Sequence, residues 1–300
     1  MQLRYIQRLI FYSISIRCYI FLFILKKYNS NKRNLVFEYH EVSFVNSVFT
    51  EDFSNSNEFF TIKIQLLISS VTLIIGMRIK YKDKSETFTE DRLVSKEPIG
   101  QFKAWFEEAC NTPQIFEANA MFLGTATKDG IPSVRAVLLK GFGTDGFKFY
   151  SNYESRKGRE LAENPNAALT FYWEPLRRGV RIEGKVKKTS SEDSDRYFQS
   201  RPYSNQIGSS ASKQSSVIAG RQTLIVKERE LMAQFSEGQV KRPDCWGGYI
   251  VIPHSIEFWQ GQSDRLHDRI RFRRPQPNDK IDNVLLHQGE NGWVYERLSP

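Results

Sequence analysis

Downstream of Met77 the chain alternates apolar and polar residues in short runs that end on turn dipeptides, and this period of two constrains the fold more than any other feature. On a pleated strand every second side chain faces the same way, so each run offers one face to a core and one to solvent. Strands are expected at 121–127, 133–140, 147–151, 168–173, 180–186, 248–252, 255–260, 268–272 and 293–297. Asp129 with Gly130, and Asp145 with Gly146, supply hairpin turns between antiparallel neighbours. Pro98 opens a helix that runs to about Cys110, with Phe102, Trp105, Phe106 and Ala109 on one face. Further helices are expected at 155–163, 191–199 and 223–235, with Pro202 breaking the second of these. Many short strands, tight turns and helices packed outside predict an α+β domain built on an antiparallel barrel.

The densest polar chemistry lies inside that pattern, at 257–274, EFWQGQSDRLHDRIRFRR. Ile256 and Phe258 before it, and Ile270 and Phe272 after it, are strand positions facing a core, so the cluster sits where two strands join. Arg265 and Arg269 are fixed positive charges suited to an anion, and His267 titrates near neutral pH. A solvated basic hairpin is the plain alternative. A Trp, two Arg and a His in one short turn exceed what solubility requires.

Composition changes near Met77. Before it, Phe, Ile, Tyr, Asn and Ser dominate, and two apolar runs, 9–25 and 59–77, approach the length of a membrane span. Arg17 and Lys63 interrupt them, and a charge at mid-span costs about 3 kcal/mol on insertion scales. Residues 1–76 are therefore expected to be an unstructured or dispensable extension, with a membrane anchor or a mitochondrial-type leader as the other readings. Met77 is a candidate alternative start, and 77–300 the globular domain. The chain carries 40% hydrophobic and 13% aromatic residues, enough for a sizeable core. Net charge is +9, which suits nucleic acid, an anionic membrane or a phosphorylated ligand without choosing among them. Three scattered cysteines form neither a disulfide framework nor a zinc pattern, so a reducing, cytoplasmic setting is expected.

Four other segments mix anion-binding and planar-ligand chemistry. In SVRAVLLK, Arg135, Val137 and Leu139 share one face of a strand, and Ala136, Leu138 and Lys140 the other. In YSNYESRK, Tyr150 and Ser151 end a strand and Arg156 and Lys157 open a helix, a ready phosphate site. In YFQSRPYSNQ, Tyr197 and Arg201 stand four apart on a helix and face the same way. KQSSV, with Gln214 and Ser215, is a polar loop. Each is weak alone: a solvated pair, a surface helix contact, a loop. No Gly-rich phosphate loop, HExxH, GxSxG or paired-carboxylate signature occurs, and no metal-ligand set.

In this order, the segments resemble the pyridoxamine/pyridoxine 5′-phosphate oxidase family over 77–300. The resemblance is carried by RAVLLKGFG (135–143), ESRKG (154–158), FYWEPL (171–176), SRP (200–202), QIG (206–208), KQSSVI (213–218), WGGY (246–249), EFWQGQ (257–262), RLHDR (265–269) and ERLSP (296–300). It implies an FMN-binding split β-barrel homodimer with two flavin sites at the subunit interface. It implies oxidation of pyridoxamine or pyridoxine 5′-phosphate to pyridoxal 5′-phosphate, with O2 reduced to hydrogen peroxide. Carried over by motif, FMN contacts fall on Arg135, Ala136, Val137 and Leu138, on Tyr150, Ser151, Arg156 and Lys157, and on Gln214, Ser215, Trp259 and Arg269. Substrate contacts fall on Lys140, Tyr197, Arg201 and Asn205. Arg265, Leu266 and His267 would lie against the substrate near the flavin, with Arg265 and His267 as the catalytic pair. Arg78 and Tyr81 fit an Arg-x-x-Tyr element that closes over the substrate.

Two positions depart from the family pattern. Gly179 stands where the family usually has a flavin-contacting Gln, and Asn205 where a Ser usually helps hold the substrate phosphate. Three other readings stand beside this one: a split-barrel flavoprotein with another substrate, a non-catalytic carrier of FMN or pyridoxal phosphate, and a nucleic-acid binder. The last lacks any nucleic-acid motif, and its basic residues form no continuous stripe.

Overall fold

One 15-residue strand, Trp246–Gln260, organises the sheet. The computed structural model describes Tyr81 and residues 86–300, all within a compact unit spanning Ile79–Pro300. The expectations for 1–76, Met77 and Arg78 fall outside the described residues. The strands are β1 (Ala120–Ala126), β2 (Pro132–Leu138), β3 (Gly141–Gly143), β4 (Gly146–Asn152) and β5 (Asn166–Trp173). They continue with β6 (Arg178–Lys188), β7 (Trp246–Gln260), β8 (Asp268–Arg273), β9 (His287–Gln288) and β10 (Val294–Arg297). The helices are α1 (Pro98–Cys110), α2 (Arg156–Glu163), α3 (Ser191–Gln199), α4 (Tyr203–Ala211) and α5 (Arg221–Gln234). All strand pairs are antiparallel, in one ten-stranded sheet ordered β2-β1-β5-β6-β7-β8-β10-β9, with β3 on β4 and β4 on β7. This is the α+β antiparallel architecture that the alternation predicts, and it agrees with the split barrel that the resemblance implies.

β6 pairs with β7 along its length, β4 takes the first half of β7, and β8 takes the second. The sequence expectation of two strands, 248–252 and 255–260, is corrected to one. Pro253 does not end it, because Pro253 lies opposite Gly184, where the β6–β7 register shifts at a bulge. The bulge needs glycine: a Cβ on Gly184 would stand 2.2 Å from the Ile252 carbonyl oxygen. Pro202 likewise precedes a helix that the sequence did not suggest. It caps α4, and its carbonyl accepts from the Asn205 and Gln206 amides at 2.9 and 3.1 Å.

Aromatic residues fill the core. Phe102 of α1, fully buried, meets the rings of Phe142, Phe147 and Phe171 at 4.9–5.3 Å. Trp105 bridges Phe88 and Phe258 at 4.8 and 5.3 Å. α1 therefore docks by the face the sequence marks. Truncation at its centre, Phe102→Ala, is expected to cost about 3–5 kcal/mol, the usual range for a buried Phe. Urea unfolding measures this, and a loss under about 1 kcal/mol would mean that α1 does not anchor the core.

Candidate functional site

A cleft of about 710 Å³ opens between β2, the end of β4, the start of α2, α3, α4 and the loop after α4. The volume is that of a small-molecule site. β2 contributes Arg135, Ala136, Val137 and Leu138, and Lys140 follows just after it. β4 contributes Tyr150 and Ser151, and α2 contributes Arg156 and Lys157. Tyr197, Arg201 and Asn205 line another wall, with Gln214 and Ser215 from the loop. Fourteen of the residues singled out in the sequence thus converge in one cleft.

Two cations are built in tightly. Arg135 donates to the Leu123 carbonyl at 3.1 Å, to Ser133 at 2.6 Å, to Thr125, and to Glu160 at 3.2 Å. Lys157 Nζ donates to Ser151 Oγ at 3.0 Å, Ser155 Oγ at 3.3 Å and Gln214 Oε1 at 2.9 Å. Those partners are all neutral, and Lys157 is 7% exposed. Burial, followed by the Arg135 charge, pulls the Lys157 ammonium down to about 8, with Glu160 opposing. Burial alone would raise the Glu160 carboxyl. Hydrogen bonds from Thr125, Arg156 and Arg135 outweigh it and hold the carboxyl below the usual range. Ser155 caps α2, and Gly158 lets the helix press against the turn before it: a Cβ there would sit 2.0 Å from the Tyr153 carbonyl oxygen. The helix N-terminus and two cations therefore face the same space.

The other expected residues gather elsewhere. Trp259 on β7 pairs with Arg269 on β8, and Arg265, Leu266 and His267 lie in the turn between them. None of these lines the cleft. His267 packs on Trp259 at 4.9 Å and on Tyr81 at 6.0 Å between ring centres. Its Nδ1 accepts from the Gln262 amide at 3.0 Å, so the neutral ring carries its proton on Nε2. Burial and then the Arg265 charge lower the His267 pKa, against Asp264 and Asp268, which keeps the ring neutral at pH 7. Arg265 holds a left-handed backbone at φ 72°. Arg269 donates to Glu257 at 2.7 Å and to the Ser299 carbonyl at 2.8 Å. Gly179 lies opposite Trp259 on β6, and a Cβ there would meet only ordinary contacts, from 3.5 Å outward. Packing therefore does not require this glycine.

β7 explains the separation. Trp246 lines the cleft at one end of the strand and Trp259 stands near the other. At ~3.3 Å per residue, roughly 40 Å of strand path lies between them. A single chain thus holds the cleft and the polar turn apart. Sequence reasoning missed Trp246, Ser209, Thr125 and Glu160. For Glu160 a signal existed, its i+4 spacing from Arg156. For the others, only the fold brings them in.

Fold and site define a class: an antiparallel split-barrel α+β protein with a cationic cleft of small-molecule size. Residues 107–234 match the family model described as pyridoxamine 5′-phosphate oxidase. Residues 246–300 match the pyridoxine 5′-phosphate oxidase C-terminal dimerisation region. The chain belongs to the pyridoxamine 5′-phosphate oxidase family. It is 57% identical over 227 residues to a pyridoxine/pyridoxamine 5′-phosphate oxidase of Bombyx mori, covering 75% of this chain and 88% of that one. It is 56% identical over 225 residues to a pyridoxine-5′-phosphate oxidase of Bos taurus, covering 75% and 86%. A solved relative is PhzG from Burkholderia lata 383 in complex with tetrahydrophenazine-1-carboxylic acid. It shows 31% identity and a TM-score of 0.61, over 71% of this chain and 97% of that one.

The buried lysine generates a pH prediction. A phosphate dianion favours protonated Lys157, which empties of its proton as pH rises through about 8. Affinity of the cleft for a phosphorylated ligand such as FMN, measured by fluorescence titration, is expected to fall from pH 7 to pH 9. Lys157→Met is expected to weaken binding and flatten that profile. A profile that keeps its slope in the variant would assign the dependence to another group.

Proposed function

We propose that the protein binds FMN and oxidises pyridoxamine or pyridoxine 5′-phosphate to pyridoxal 5′-phosphate, consuming O2 and releasing hydrogen peroxide. The observation that carries this reading is the presence of two separate phosphate anchors in one cleft. Arg135, Ser151, Arg156, Lys157 and Gln214 suit the phosphate of FMN, and Lys140, Tyr197, Arg201 and Asn205 suit that of the substrate. The donor set fits the cofactor: buried Lys157 has only neutral partners and is completed by an anion. The chemistry FMN supplies when bound is hydride acceptance from the substrate's C4′ and two-electron reduction of O2. Pyridoxine phosphate then yields the aldehyde directly, whereas pyridoxamine phosphate yields an imine that takes up water and releases ammonia.

The chain's own residues position and polarise. Ala136, Val137, Leu138, Tyr150 and Ser215, which line the same cleft, would hold the flavin. Arg265 clamps the substrate, and Leu266 sits beside it. Neutral His267 orients the substrate through its Nε2 proton, since Nδ1 is already engaged. Tyr81, packed at His267 and Trp259, covers the substrate.

In this reading a second copy of the chain brings Trp259, Arg269 and the 265–267 turn to the cleft, placing FMN at the interface. The match of 246–300 to a dimerisation region supports it. So does an exposed apolar face on β1, β2 and β5, where Phe122, Val134 and Tyr172 are 55%, 69% and 46% exposed. We place the catalytic body at 77–300, with 1–76 dispensable for turnover. The free thiols Cys110 and Cys245 suit a cytoplasmic setting. Among the described residues no helix is long and apolar enough to cross a membrane.

Purified protein supplied with FMN and pyridoxine 5′-phosphate is expected to release pyridoxal 5′-phosphate and peroxide in equal amounts. Binding without peroxide would leave only a carrier. In stopped-flow flavin reduction, Arg265→Ala is expected to slow the step on the order of 100-fold, as loss of a substrate-positioning group does. An unchanged rate at saturating substrate would remove Arg265 from the chemistry.

A further inference from the structure

We propose that Trp246 is a positioning residue for the substrate phosphate, fixing the Arg201 guanidinium and the Tyr197 ring in the geometry that receives it. The proposal rests on the oxidase reading above. Trp246 is 6% exposed, yet it forms part of the cleft wall. It opens β7 opposite Asn152, the last residue of β4. Its amide donates to the Pro243 carbonyl at 2.9 Å, and its carbonyl accepts from Arg242 Nη1 at 2.7 Å. The Phe198 ring meets the indole edge-on at 5.2 Å. The indole is therefore held on several sides before any ligand arrives.

Two phosphate-binding groups lean on it. The Arg201 guanidinium carbon sits 4.8 Å from the indole centre, within cation–π range. Its side chain donates to Ser209 Oγ at 2.8 Å, and among the described residues no carboxylate pairs with it. A guanidinium has five N–H donors, so most of this fork is left for an anion. The indole face sets the plane of the fork, which a long side chain would otherwise sample at an entropic cost to binding. The Tyr197 ring lies 7° from parallel to the indole at 6.2 Å, and Tyr150 lies 14° from parallel at 5.7 Å. Tyr150 and Tyr197 stack at 3.9 Å, and Tyr150 is pinned by its hydroxyl to Asp193 at 2.8 Å.

The test compares Trp246→Leu and Trp246→Phe with the parent protein, each as the full chain with FMN bound. The readouts are KM and kcat for pyridoxine 5′-phosphate, and Kd for pyridoxal 5′-phosphate and for inorganic phosphate. Leu is expected to raise KM and both Kd values about 10-fold, the scale of a lost partly buried cation–π contact, while kcat stays within about two-fold. FMN retention is expected to be unchanged. Phe keeps a ring face and is expected to restore most of the affinity. The proposal is overturned if Leu leaves KM and Kd at parent values, or if Leu and Phe lose affinity equally. It is also overturned if KM, kcat and FMN retention decline together, the mark of a merely structural residue. Should the Leu variant not fold, Phe alone decides: a two- to three-fold rise in Kd supports the idea and none refutes it, on the same cation–π scale. Parent turnover tests the oxidase reading separately, because the phosphate Kd ratio needs no turnover.

Discussion

The pairing of β7 with three partners is the constraint on which the rest of the structure depends. Its first half hydrogen-bonds to β4, its second half to β8, and β6 runs beside both. One strand therefore fixes where the cleft begins, through Trp246, and where the polar turn hangs, through Trp259. A strand is stiff along its axis, so the two positions cannot fold back onto each other within one chain. The bulge at Gly184 allows Pro253 to sit inside this strand without ending it. The two groups of residues are consequently held apart by the very element that makes the sheet continuous, and under the proposed function a second copy reunites them.

Electrostatics then divides the labour. Glu160 neutralises Arg135 and steadies Arg156, whereas Lys157 and Arg201 are held mostly by neutral groups. Desolvated cations with neutral partners are costly to the apoprotein and gain most when an anion arrives. The polar turn is built differently. Arg269 is tied to Glu257, and His267 has Nδ1 engaged, so beside the Arg265 charge this half presents directed donors. One half of the site suits phosphates, and the other suits the ring chemistry.

Much of this was legible in the sequence, for identifiable reasons. Period-two alternation carries the strand positions directly, and α1 shows its buried face through Phe102, Trp105 and Ala109. The chemistry-bearing segments carry residue types that stand out, so the cleft's Arg, Lys and Tyr were found in advance. What stayed hidden depends on distant partners. Pro253 reads as a strand end until Gly184 is seen opposite it, and Pro202 reads as a breaker until its carbonyl is seen capping α4. Trp246 and Thr125 look like ordinary strand residues, and only the neighbours that the fold brings to them reveal their place in the site.

The central claim is that the cleft of one chain and the polar turn of another make each site. The most direct measurement is activity of a mixed dimer, isolated by two affinity tags, in which one chain carries Arg201→Ala and the other Arg265→Ala. If the site is shared, one of its two copies in the mixed dimer is free of both substitutions. Close to half of the parent activity is then expected, although each variant alone is nearly inactive. A mixed dimer as inactive as the two single variants would place both residues in a site within one chain and contradict the account.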